Sequence, residues 1–99
     1  MKYVVTWETR QNFSEEIQER SLSVLGKWSP PASATFHQFV ARLDGGGGYA
    51  VVETEDTEAL ALDLATFSAY FDMKVHPCLD MMDAARIEGA AIEFRHSVS

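Results

Sequence analysis

The chain has 99 residues and a net charge of −7, from 15 acidic and 8 basic side chains. One domain of this size with 46% hydrophobic residues can pack a core. The negative charge disfavours nucleic acid, whose phosphates need a basic patch, and the scattered Lys and Arg give no membrane-surface anchor. Cys78 stands alone, so no internal disulfide forms, as expected of a cytoplasmic protein. No stretch approaches the ~20 apolar residues of a membrane span, and the apolar run at the start breaks at Glu8.

Residues 2–8 are rich in β-branched and aromatic types and predict a strand, closed by Thr9-Arg10-Gln11-Asn12. Asn12 followed by Glu15 predicts a helix start. Ile17, Val24, Leu25 and Trp28 then fall on one helical face, and Pro30 and Pro31 stop the helix. Residues 34–42 predict a second strand, Gly45 to Gly48 a turn, and Tyr49 to Thr54 a third strand. Asp56 caps a helix from about Thr57 to Ser68 with Leu60, Leu64 and Phe67 in a stripe. Phe71 to Cys78 is a fourth strand, where Pro77 marks an edge strand or the strand's end, and Asp80 can cap a last helix with Ala84, Ile87, Ala91 and Phe94 on one face. This order, βαββαβ plus a C-terminal helix, predicts an α+β, ferredoxin-like domain with a four-stranded antiparallel sheet.

Alternation sorts the strand residues by face. Under the helices belong Tyr3, Val5, Trp7, Phe39, Ala41, Ala50, Val52, Met73 and Val75. An even-length glycine turn sets Arg42 opposite Tyr49, Val40 opposite Val51 and Gln38 opposite Glu53, together with Phe36 on the helix-free face. That face mixes apolar and polar groups, which fits a homodimer interface or a small-molecule cavity.

The stretch from His37-Gln38-Phe39-Val40-Ala41-Arg42 through Asp44-Gly45-Gly46-Gly47-Gly48 to Glu53-Thr54 resembles the signature of small bacterial proteins grouped as a domain of unknown function. The opening Met1-Lys2-Tyr3-Val4-Val5-Thr6-Trp7 and the later Pro77-Cys78-Leu79-Asp80 are similar to the same family, and the likeness departs from it at His76 and Cys78. The resemblance implies the dimeric α+β barrel superfamily, in which two ferredoxin-like sheets face each other. That superfamily includes cofactor-independent monooxygenases, cyclases and isomerases, haem-degrading enzymes and ligand-sensing domains.

Candidate site residues follow from the face assignment. His37 is placed towards the helices, either as a structural histidine or as an acid–base group at a cavity rim. Gln38, Arg42, Tyr49 and Glu53 form a polar set in which Arg42 and Tyr49 can hold a ligand, and Glu53 can act as a base if buried. The competing reading is a structural network across a dimer. His76 and Cys78 lack a second ligand pair at zinc-like spacing, so no metal is expected, and no cofactor either. The four glycines lead into a strand and lack the following Lys-Ser/Thr of a phosphate loop. The expected function is therefore small-molecule binding by a homodimer. It is either catalytic on a small aromatic or carbonyl compound, or a sensor or structural dimer without catalysis.

Overall fold

The computed structural model describes residues 1–98. Its elements are β1 (Lys2–Thr9), α1 (Glu15–Lys27), β2 (Ala34–Ala41), β3 (Gly47–Thr54), α2 (Thr57–Phe67), β4 (Phe71–Cys78) and α3 (Met81–Ser97). The strands form one antiparallel sheet in the order β2-β3-β1-β4. This is the expected ferredoxin-like arrangement, with β1 and β3 central and β2 and β4 at the edges.

The first two helices start where a side chain satisfies a free amide. Ser14, not Asn12, caps α1, its hydroxyl accepting from the Ile17 amide at 3.2 Å. The start lies later than expected because residues 10–13 form a turn, with the Phe13 amide donating to the Arg10 carbonyl. Asp56 caps α2 through the Ala59 amide at 3.0 Å, as expected. Asp80 precedes α3 but makes no side-chain cap, because its carboxylate accepts from Lys2 Nζ at 2.8 Å. That cation holds the Asp80 carboxyl below its usual range. Buried Thr54 ties β3 to α2: its hydroxyl donates to the Ser33 carbonyl and accepts from the Asp56 amide.

The core lies between the sheet and the first two helices. Val5, Ala50, Val52 and Leu60 are buried, with Tyr3, Trp7, Ala34, Phe36, Leu64 and Met73 packed around them. Both glycines at the start of β3 are required by this packing. A Cβ on Gly47, whose φ is +150°, would come within 1.8 Å of the Trp7 carbonyl oxygen. One on Gly48 would sit 2.2 Å from the Trp7 ring and 2.5 Å from the Val40 carbonyl oxygen. Trp7 pairs with Gly48 across the strands, so its indole lies over a position that has no side chain.

The hairpin register therefore differs from the expected one. Gly47 and Gly48 belong to β3 itself, so Val40 pairs with Tyr49 and Gln38 with Val51, two residues away from the predicted partners. A β-bulge lies between Phe36 and Gln38, with His37 as the extra residue, while Phe36 pairs with Val52 and Thr35 with Glu53. The bulge changes the alternation of β2. Phe36, expected on the helix-free face, joins the core side, and Phe36 and Phe39 both lie there with ring centroids 5.5 Å apart.

The last helix stands apart from the core. α3 has no buried residue within the chain, so the shared face of Ala84, Ile87, Ala91 and Phe94 is not covered by the sheet. Ile87 is 46% and Phe94 69% exposed. At about 1.5 Å per residue α3 adds a rod of roughly 25 Å, and the molecule is 61 Å long. Its radius of gyration is 17.7 Å, against about 13 Å for a compact chain of this size.

Candidate functional site

The polar set chosen from the sequence is divided by the structure into two groups on the helix-free face. His37 lies there and not under the helices, because the bulge turns it outwards. Its Nε2 is 2.8 Å from Glu53 Oε1, and both side chains are about half exposed. The hydrogen bond from His37 holds the Glu53 carboxyl below its usual range.

At the hairpin end, Arg42 donates to Asp44 Oδ2 at 2.5 Å, while Asp44 Oδ1 accepts from the Gly46 amide at 2.8 Å. The Gly46 amide first and Arg42 second hold the Asp44 carboxyl low, and Asp44 in turn raises the guanidinium. Arg42 thus braces the turn and does not meet Glu53. Tyr49 and Glu53 are four residues apart on one strand, which separates the two groups by roughly 13 Å. Gln38 lies between them, opposite Val51. The set is gathered on one face, as expected, but does not converge on one point.

An aromatic-lined concave feature lies on the other side of the sheet. A cavity of about 110 Å³ opens between the sheet and the helices α1 and α2. Its walls are apolar and strongly aromatic, with Trp7, Trp28, Phe36, Phe39 and Phe67 among them. The rings meet edge to face: Trp28 lies 5.8 Å from Phe36, 5.9 Å from Phe39 and 5.6 Å from Phe67 between centroids. Such contacts fix the rings in place beyond what burial alone would do. Leu25 and Phe39 are the exposed members of the lining, so the mouth lies between the end of α1 and strand β2.

One charged side chain reaches this cavity. Asp63 of α2 accepts a hydrogen bond from Trp28 Nε1 at 2.9 Å, which orients the indole and ties α1 to α2. The sequence expectations passed over Asp63. The signal was present, since Leu60, Asp63, Leu64 and Phe67 share one helical stripe and a carboxylate there faces the core side.

On β4, His76 and Cys78 share the helix-free face, and the Cys78 thiol donates to the His76 carbonyl at 3.3 Å. Among the described residues no three His, Cys, Asp or Glu side chains are grouped to hold a metal. No helix among them is long and apolar enough to cross a membrane.

Arg10 was also missed, and its role is structural. Its guanidinium donates to Asp72 at 3.1 Å and to the carbonyls of Ser68, Ala69 and Phe71, closing the end of α2 onto β4.

No curated protein matches the chain. A family model described as "Domain of unknown function (DUF3303)" matches residues 1–92, which takes in the whole sheet, the cavity and most of α3, and the chain belongs to that family.

Proposed function

We propose that this protein is a homodimeric small-molecule-binding protein whose ligand enters the aromatic cavity between sheet and helices. The cavity carries the reading. It is concave, almost wholly apolar and walled by rings held in edge-to-face contact, a make-up suited to a small apolar or aromatic molecule. Its volume suits a molecule of about one aromatic ring, since engineered apolar cavities of roughly 150 Å³ take up benzene.

The dimer is proposed on two features of exposure. The helix-free face presents Val40 and Tyr49 at 47% and 48% exposure beside Val4 and Val51. α3 adds Met81, Met82, Ile87, Ile92 and Phe94, each at least 45% exposed. A stable interface covers about 800 Å² on each subunit, and a four-stranded face with a long helix beside it supplies an area of that order. Pairing sheet to sheet, as in the dimeric α+β barrel superfamily, would leave both cavities open on the outer, helical sides.

A second, catalytic reading has one observation in its favour. The His37–Glu53 pair has the geometry of a base held by a carboxylate, and in a sheet-to-sheet dimer it would lie in the seam. Cofactor-independent acid–base chemistry on a small aromatic or carbonyl compound would need that seam to admit the substrate.

Sedimentation at micromolar concentration combined with thermal shift against toluene, phenol and benzyl alcohol tests the main reading. A dimer stabilised by at least one of these compounds supports it. A monomer that none of them stabilises overturns it.

A further inference from the structure

We infer that α3 is an exchanged arm: in the dimer each α3 crosses to the other copy and lies over the mouth of its aromatic cavity. The inference rests on the homodimer proposed above. It adds how the two copies are oriented and what covers the cavity.

The sheet register supplies the orientation. The middle of the sheet lies between β3 and β1. Two helix-free faces can meet about a two-fold axis that runs either along the strands or across them. With the axis along the strands, β4 lies over the partner's β2, β1 lies over its β3, and each cross-strand row meets itself in reverse. Lys2 pairs with Glu53, so Lys2 comes over the partner's Glu53. Val4 pairs with Val51, so valine meets valine. At the other end the Arg42 amide donates to the Gly47 carbonyl, and that row continues through Glu8 to Asp72, so Asp72 comes over the partner's Arg42. With the axis across the strands, the rows change ends. His76 would then meet the partner's Lys74, His37 its Arg42, and Val4 its Thr6. The first axis matches opposite charges and apolar groups, whereas the second sets groups that carry positive charge against one another.

That orientation decides where α3 goes. α3 follows β4 at the end where Cys78 pairs with Lys2, and there the partner's β2 begins. A short loop joins the start of β2 to the end of α1, so the cavity mouth lies at this same edge. Stacked sheets are about 10 Å apart and a helix is about 10 Å across, so a rod of roughly 25 Å can pass the partner's sheet edge and reach its helical layer. The rim it meets is apolar: Leu25 and Phe39 at the mouth, and Leu22 one turn earlier on α1, which is 60% exposed. Ile87, Ala91 and Phe94 bring a matching exposed stripe. One arm of this size covers up to roughly 250 Å², so giving one and receiving one supplies more than half of the about 800 Å² per copy that a stable dimer needs. Sheet pairing by itself leaves the mouth open, and the arm closes it with side chains of the second copy.

The chain's two tryptophans, Trp7 and Trp28, both line the cavity and so report on its cover. The full chain is diluted through dissociation, followed in parallel by sedimentation and by tryptophan emission. As the dimer separates, the emission maximum should move to longer wavelength and quenching by acrylamide should rise, because lifting α3 opens the mouth. A dimer held by the sheets alone would leave both indoles unchanged, since they lie on the opposite side of the sheet. Leu22→Asp provides the second readout. Its side chain is mostly exposed in the single copy, so the fold should persist by circular dichroism. The dimer should weaken by at least about tenfold, because a charge enters an apolar contact. An unchanged tryptophan signal on separation overturns the inference, as does a Leu22→Asp dimer as tight as the parent's, and the homodimer stands in both cases. A parent chain that is monomeric at micromolar concentration overturns the homodimer itself. Should Leu22→Asp fold poorly, the tryptophan signal of the parent chain decides.

Discussion

Replacing Gly48 by alanine should destabilise the protein by about 3 kcal/mol, far more than a single methyl group ordinarily costs. A Cβ there would meet Trp7 Cζ2 at 2.2 Å, the Val40 carbonyl oxygen at 2.5 Å and Trp7 Cε2 at 2.7 Å. The Val40 oxygen belongs to the backbone of the paired strand and cannot swing away. Trp7 can yield only by leaving its place over the sheet, where it touches Phe39 at a centroid distance of 5.7 Å. Overpacking of this kind costs about 1–3 kcal/mol, and complete loss of a packed tryptophan about 3–5 kcal/mol. Partial displacement of Trp7 lies between these limits. In a domain of this size each kcal/mol moves the melting temperature by roughly 4–8 °C, so a fall of about 12–24 °C is expected. Urea titration followed by tryptophan fluorescence gives the free energy, and the emission maximum shows whether Trp7 has moved towards water. Gly26→Ala is the control: nothing lies within 4 Å of its Cβ position, and it is in the last turn of α1. There the same chemical change should be neutral or stabilising by up to about 1 kcal/mol. Equal stability of the two variants would refute the packing argument.

Asp56→Ala should cost about 1 kcal/mol by uncapping α2, and Asp56→Asn much less, as read by urea titration. The Glu53 carboxyl is held low by His37, so the stabilisation it lends is complete above the ordinary glutamate range and is lost as pH falls through the lowered value. Glu53→Gln should therefore lower the melting temperature slightly near neutrality and flatten the acid limb, the two proteins converging at low pH. Val51→Asp, which puts a charge on the helix-free face, should shift sedimentation from dimer to monomer. Ile87→Asp together with Phe94→Asp on α3 should do the same if that helix is covered by the second copy. A dimer in both variants would place the interface elsewhere.

The strands and helices were legible because their signals are local. β-branched runs, two prolines after Trp28 and the Asp56 cap each act within a few residues. The register of the hairpin was not legible, because it depends on Trp7, some forty residues away in sequence. Four consecutive glycines look like a turn, yet two of them lie in a strand because an indole needs the space. The bulge at His37 is equally silent in the sequence, since His37 neither interrupts the β-rich run nor brings a glycine. Once it is present, Phe36 moves to the cavity side and His37 to the other. That one change explains why His37 was placed towards the helices and why Phe36 was left out of the aromatic wall. The shared face of Ala84, Ile87, Ala91 and Phe94 on α3 is legible in the sequence, but a pattern of that kind says only that the helix needs a partner, not which one.

The two edges of the sheet suggest how the protein avoids uncontrolled assembly. A free strand edge is a template on which another chain can add, and that route leads to fibres. Here the outer strands are β2 and β4. β2 is broken by an unpaired extra residue at His37, and β4 carries Pro77, which has no amide to donate. Both outer strands are poor templates, so adhesive surface is confined to the flat of the sheet and to α3. In the proposed dimer, contacts made there would end in a closed pair, whereas contacts made along an edge would propagate. A concentrated solution of this chain should therefore stay clear and fail to seed thioflavin-positive aggregates. Deleting His37 and replacing Pro77 with valine together should remove that protection.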